Sequence, residues 1–163
     1  MPYNVFVSHS MAQEDHALLT GFHSLAGARG LQPYFAERDW QPGTSLPDKI
    51  ERAIRAADCM VVFLTRAGHH SKWVHQEIGF AQGIGLRRIP ILEHGVDPTG
   101  FDLAKEYITL NRLAAARTLH DLTAYLEKMK IEKERNQAGL VVGGLVGLWL
   151  LSQAEPKSRR RKR

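Results

Sequence analysis

The run Cys59-Met60-Val61-Val62-Phe63-Leu64-Thr65 constrains the fold more than any other segment. A strand with one solvated face alternates apolar and polar residues. A strand apolar at successive positions is covered on both faces. A segment with helical character follows at 71–83, with Ser71 placed as its cap. Trp73 and Glu77 are four residues apart there, so they share one helix face at the carboxyl end of a buried strand. That is where open α/β sheets bind ligands.

The same alternation runs through the body. Val5-Phe6-Val7 is a short strand ending at Ser8-His9-Ser10. Ser10 and Gln13 have the spacing of a capping box. Leu18, Leu19, Phe22, Leu25 and Ala26 then give a helix its apolar face, and Gly27 and Gly30 end it. Gln32-Pro33-Tyr34-Phe35-Ala36 reads as a peripheral strand, because proline has no N–H to donate to a sheet ladder and is poorly tolerated in a central strand. The polar stretch 37–45 holds a Pro42-Gly43 turn, and Pro47 suits the start of a helix whose Ile50, Ile54 and Ala57 face the core. Arg88-Ile89-Pro90-Ile91-Leu92 is a fourth strand and Tyr107-Ile108-Thr109-Leu110 a weaker fifth, separated by an irregular stretch over 93–105. A charged helix starts near Arg112 and runs to about Arg135. Strands alternating with helices predict an α/β fold with a five-stranded parallel sheet and helices on both faces. A helical apolar tail follows it.

The length of 163 residues suits one domain with a proper core. The net charge of +5 is uneven: Lys157, Arg159, Arg160, Arg161, Lys162 and Arg163 stand among the last seven residues, and the body without them is near neutral. The basicity therefore describes a tail, and nucleic acid is not an expected partner. The single cysteine allows no internal disulfide, which fits a reducing compartment. Residues 2–10 are too short and polar for a secretory leader, so the globular part is expected in the cytoplasm.

Four pieces in order carry a family resemblance over about 3–130: Val5-Phe6-Val7-Ser8-His9-Ser10, Asp39-Trp40-Gln41-Pro42-Gly43, Ser71-Lys72-Trp73-Val74-His75-Gln76-Glu77-Ile78, and Ile89-Pro90-Ile91. Together they resemble a TIR domain, which implies a flavodoxin-like fold. The single-domain layout is similar to bacterial and archaeal immune TIR proteins of the Thoeris-like kind. The resemblance implies cleavage of NAD+ between nicotinamide and ribose, by a glycohydrolase giving ADP-ribose or a cyclase giving a cyclic ADP-ribose signal, in anti-phage defence. The alternative is a non-catalytic adaptor acting through homotypic TIR–TIR assembly. On the enzymatic reading Glu77 is catalytic, and Phe6, Ser8, His9, Ser10, Asp39, Trp40, Gly43, Ser71 and Trp73 bind substrate. The implied partners are NAD+, further copies of the chain and a downstream effector. No metal and no cofactor beyond NAD+ as substrate is expected.

Elementary chemistry agrees with one carboxylate. A glycosidase ordinarily needs two because its leaving group must be protonated. The nicotinamide of NAD+ carries positive charge and leaves neutral, so Glu77 need only bind the ribose hydroxyls and stabilise an oxocarbenium-like transition state. The Trp73 face attracts a cationic ring. Ser8, His9 and Ser10 stand beside a helix N-terminus suited to phosphate, and the 39–43 loop flanks or closes the pocket. Water access decides between hydrolysis and cyclisation. Each feature also has a plainer reading. Trp73 alone is as readily a core aromatic, Glu77 alone a solvated helix residue, and Trp40 a loop or oligomer contact. His69, His70, His75 and Glu77 lack a metal-binding spacing. Cys59 reads as core, and Gly83-Ile84-Gly85 lacks the third glycine of a dinucleotide fingerprint.

The resemblance ends before the tail. Residues 131–137 read as a charged helix extension, 138–154 as an apolar segment with Gly139, Gly143 and Gly147 every four residues, and 155–163 as a basic tail. The fourteen residues 138–151 carry no polar side chain, which is short of the roughly 17–25 a spanning helix needs. Two readings stay open: membrane attachment through 138–163, helped by the cationic end, or self-association through the glycine face.

Overall fold

In the computed structural model, which describes residues 2–35, 46–98 and 107–153, with side chains at 2–35, 48–98 and 107–138, each of the five apolar runs read as a strand becomes one. The strands are β1 (Tyr3–Ser8), β2 (Leu31–Phe35), β3 (Cys59–Leu64), β4 (Arg88–Glu93) and β5 (Ile108–Leu110). The helices are α1 (His16–Ala28), α2 (Leu46–Ala56), α3 (Lys72–Gly83) and α4 (Ala115–Gln153). All neighbouring strands pair in parallel, in the order β2-β1-β3-β4-β5. β3 is buried at every position and lies at the centre. β2 lies at an edge, where Pro33 is tolerated.

The pleat divides the core. Phe6, Met60, Val62, Leu64 and Leu92 join Ile50 and Ile54 of α2 and Val74, Ile78 and Ala81 of α3 in one cluster. On the other side Phe22 of α1 packs edge-on against Phe63 at 5.6 Å, and Leu119, Leu122 and Leu126 of α4 are buried. Successive strand side chains alternate faces, so Ser8 shares Phe6's side, the side of α2 and α3.

Three local expectations are corrected. Ser10 does not form a capping box with Gln13: a 3₁₀ turn over Gln13–Asp15 precedes α1, and the Ser10 hydroxyl is bonded to Asp15 at 2.9 Å. A buried carboxylate is the stronger acceptor, and it takes the hydroxyl. Ser71 holds the N-cap position of α3 without a side-chain capping bond. The last helix starts at Ala115, close to the expected Arg112 and directly after a 3₁₀ turn (Arg112–Ala114), but it does not stop near Arg135. It continues to Gln153, because the change from charged to apolar residues after Gln137 brings no proline. Gly30 does end α1, with a left-handed φ of 67°.

By contacts the chain divides into Met1–Lys128, which holds the sheet, and Met129–Arg163, which holds the remainder of α4 and the tail. Among the described residues no helix is long and apolar enough to cross a membrane.

Candidate active site

The strand order reverses direction between β1 and β3, and open α/β sheets bind ligands outside the carboxyl ends of the strands at that point. Ser8 is the last residue of β1, and α3 follows β3. The Ser8 hydroxyl donates to Glu77 Oε2 at 2.5 Å, joining residues 69 apart in sequence. Ser8 is fully buried and Glu77 is 8% exposed. A hydrogen bond to a carboxylate in so dry a place is strong and fixes the rotamer.

Glu77 is not sealed in. It lines an open groove of about 220 Å³ between α2 and α3, with Trp73, Gln76 and Phe80 on one wall and Ile50, Glu51 and Ile54 on the other. Trp73 is 51% exposed, so its indole faces solvent at this rim and is not a core residue. The wall is mostly apolar, and Arg55 lies 4.9 Å over the Phe80 ring. Such a groove accepts a flat ring while one buried carboxylate meets the adjoining polar atoms.

The other site residues read from the sequence do not all gather at Glu77. Ser8 and Trp73 join Glu77, one as its hydrogen-bond donor and one as its neighbour in the groove. Phe6, expected against substrate, is a core residue: it is fully buried and stacked on Tyr34 at 5.9 Å, because its side chain points into the α2–α3 cluster. His9 is half-buried, its ring edge-on to Phe35 at 5.6 Å and its Nδ1 2.7 Å from the Ser10 carbonyl oxygen. Ser71 is half-buried at the start of α3. Asp39, Trp40 and Gly43 lie outside the described residues.

Ser10 belongs to a different structure. Its hydroxyl and that of Thr65 both donate to Asp15 Oδ2, at 2.9 and 2.7 Å. Arg112 bonds Asp15 Oδ1 at 2.5 Å and Glu93 Oε1 at 2.8 Å, and Glu93 Oε2 accepts from the Arg66 amide at 2.9 Å. Burial pushes the Glu93 carboxyl up, but hydrogen bonds from Arg112 and the Arg66 amide, with both guanidinium charges, outweigh it and hold the group below its usual value. The bonds to Glu93 and Asp15 raise the Arg112 guanidinium in turn. This clamp ties the segments leaving β1, β3 and β4 to the turn before α4. Gly68 packs inside it, where an added Cβ would stand 2.9 Å from that of Ser10.

Sequence reasoning missed Gln76 and Phe80, although 73, 76, 77 and 80 mark one helical face. It also missed Glu51, Ile50 and Ile54 as the opposite wall, for which the pairing of α2 with α3 gives the only signal. Cys59 is core as expected: burial pushes its thiol up to about 12, which removes it as a nucleophile.

The TIR domain family model matches residues 5–129. The chain belongs to the TIR domain family. No curated protein matches it in sequence. Among solved structures, this TIR domain is similar to that of the Toll-related receptor TRR-2 from Hydra magnipapillata, at 17% identity and a TM-score of 0.61 over 76% of this chain and 98% of the other. It is similar to the CMP N-glycosidase BcmB of Clostridium botulinum, at 20% identity and a TM-score of 0.59 over 75% and 98%. It is also similar to the TIR domains of the activated Roq1 resistosome, at 14% identity and a TM-score of 0.51 over 80% and 98%. At these identities the likeness is one of fold, and it agrees with the flavodoxin-like sheet.

Proposed function

We propose that this TIR domain is an N-glycosidase acting on NAD+, with Glu77 as the catalytic residue. The observation that carries the reading is the buried Ser8–Glu77 hydrogen bond opening onto a groove that Trp73 flanks. The nicotinamide ring occupies the groove against Trp73. Glu77 takes hydrogen bonds from the ribose hydroxyls and stabilises the positive charge that grows on the sugar as the C1′–N bond breaks. The bond's electron pair goes to the pyridinium nitrogen, so nicotinamide leaves neutral without an acid. Water then gives ADP-ribose, and an internal nucleophile gives a cyclic product. We place this activity in antiviral signalling by an assembly of TIR domains that hands its product to an effector.

Incubation of the full chain with NAD+, following nicotinamide, tests the assignment. Wild type should release it, and Glu77→Gln should be slower by about 10²–10³. Absence of release by wild type even at concentrations where it assembles would overturn the NAD+ reading, and inactivity toward CMP as well would leave a non-catalytic adaptor. Glu51 favours a second substrate class, since a neutral base such as the cytosine of CMP needs a proton to leave and a second carboxylate lines this groove. Cytosine release from CMP, with NAD+ left intact, would select it.

A further inference from the structure

At the opposite end of the sheet lies a larger cavity, of about 640 Å³, lined by Leu86, Arg87, Arg88, Ile89, Pro90, Tyr107, Ile108, Asp121 and Tyr125. Arg88 and Ile108 open β4 and β5, so the cavity stands at the amino ends of these strands, away from Ser8 and Glu77. Its size falls in the range of about 300–1,000 Å³ typical of small-molecule sites, which the groove at Glu77 does not reach.

The lining is chemically mixed in a specific way. Arg87 donates to the Tyr125 hydroxyl at 2.5 Å, and its guanidinium lies 5.8 Å from that ring's centroid. A guanidinium has five N–H donors, and this bond uses one. Arg88 is anchored by Gln82 at 3.2 Å. The Tyr107 and Tyr125 rings are exposed, as is Asp121. Leu86, Ile89, Pro90 and Ile108 supply the apolar part. Two planar cations beside two phenol rings match a ligand with an anionic group next to a flat ring: arginine forks suit phosphate oxygens, and tyrosine faces suit stacking. Asp121 adds an acceptor for sugar hydroxyls.

We propose that this cavity is a second, non-catalytic site for a nucleoside phosphate. It is independent of the reaction at Glu77 and would stand if that reaction were something else. A nucleotide here would bridge β4, β5 and α4, and so report nucleotide levels to the element that carries the chain's tail.

The test is titration of the full chain with AMP, followed by calorimetry and by amide chemical shifts. Adenosine and inorganic phosphate serve as the separate halves. Wild type should bind AMP saturably, with shifts at 86–90 and 121–125, and bind each half more weakly. Arg87→Gln and Arg88→Gln should each weaken AMP by about 10-fold or more. Tyr107→Ala, outside the strand pairing, should weaken it without altering the fold. Glu77→Gln should bind AMP as wild type does. No saturable binding would overturn the proposal. So would equal binding of phosphate and AMP, which marks a simple anion patch, or shifts centred on 73–80, which place the nucleotide in the other groove.

Discussion

At the scale of single residues, the site depends on how Glu77 is held. A carboxylate on a helix surface samples several rotamers. Here the Ser8 hydroxyl removes that freedom, with one oxygen fixed at 2.5 Å from a fully buried donor. Hydrogen bonds to charged groups contribute about 1.5–3 kcal/mol. Ser8→Ala should therefore cut the rate of nicotinamide release by about 10–100-fold through kcat, with KM changing little, since the ring and its apolar contacts are untouched. Steady-state kinetics on NAD+ separate the two. A loss confined to KM would show that Ser8 binds substrate and does not position the acid. Part of this was legible beforehand, because Trp73 and Glu77 at four-residue spacing must share a face. That Ser8 reaches Glu77 was not legible, because nothing local links residues 69 apart.

At the scale of elements, the carboxyl ends of the strands are kept in place by the clamp of Asp15, Glu93 and Arg112. Both carboxylates are almost fully buried, and the Arg112 side chain is 35% exposed. Removing one partner of a buried pair costs about 3–5 kcal/mol by stranding the others, and the partial exposure of the guanidinium places Arg112→Ala near the lower end. The urea midpoint should fall with an unchanged slope.

Acid should attack the same clamp. Glu93 titrates lower in the folded protein than in the unfolded chain, so its contribution is complete above the ordinary value of 4.5. That contribution is lost as pH falls from there toward the folded value. Urea titrations at pH 7 and below 4.5 should show the loss in wild type, and Glu93→Gln should be less stable at pH 7 but lose less on acidification. Equal acid dependence of the two proteins would assign the sensitivity to other carboxylates. Ser10 shows why such a clamp is hard to read in advance. Its spacing to Gln13 satisfies a local capping rule, and a buried carboxylate from the next turn satisfies it better.

At the scale of the whole molecule, the long helix joins two compositions. α4 begins among the buried leucines 119, 122 and 126 and continues as helix through the glycine-spaced segment to Gln153. Glycines four apart on a helix allow close approach of a second helix, and linked copies raise one another's effective concentration. Deleting residues 136–163 should therefore reduce the mass seen by light scattering and, with it, turnover per chain. Unchanged mass and unchanged turnover would exclude a role in assembly.

Alternating apolar runs and helix-period segments fix strands and helices locally, so the five strands, the edge place of the proline-bearing β2 and the shared face of Trp73 and Glu77 were written in the chain itself. The motifs in order added the family. Only packing decided that Phe6 is core, that α2 forms the far wall of the groove, that Ser10 serves Asp15, and that Ser8 grips Glu77. Each of these is a contact between segments far apart in the chain, chosen by competition among buried polar groups for partners, and that competition exists only once the sheet has brought them together.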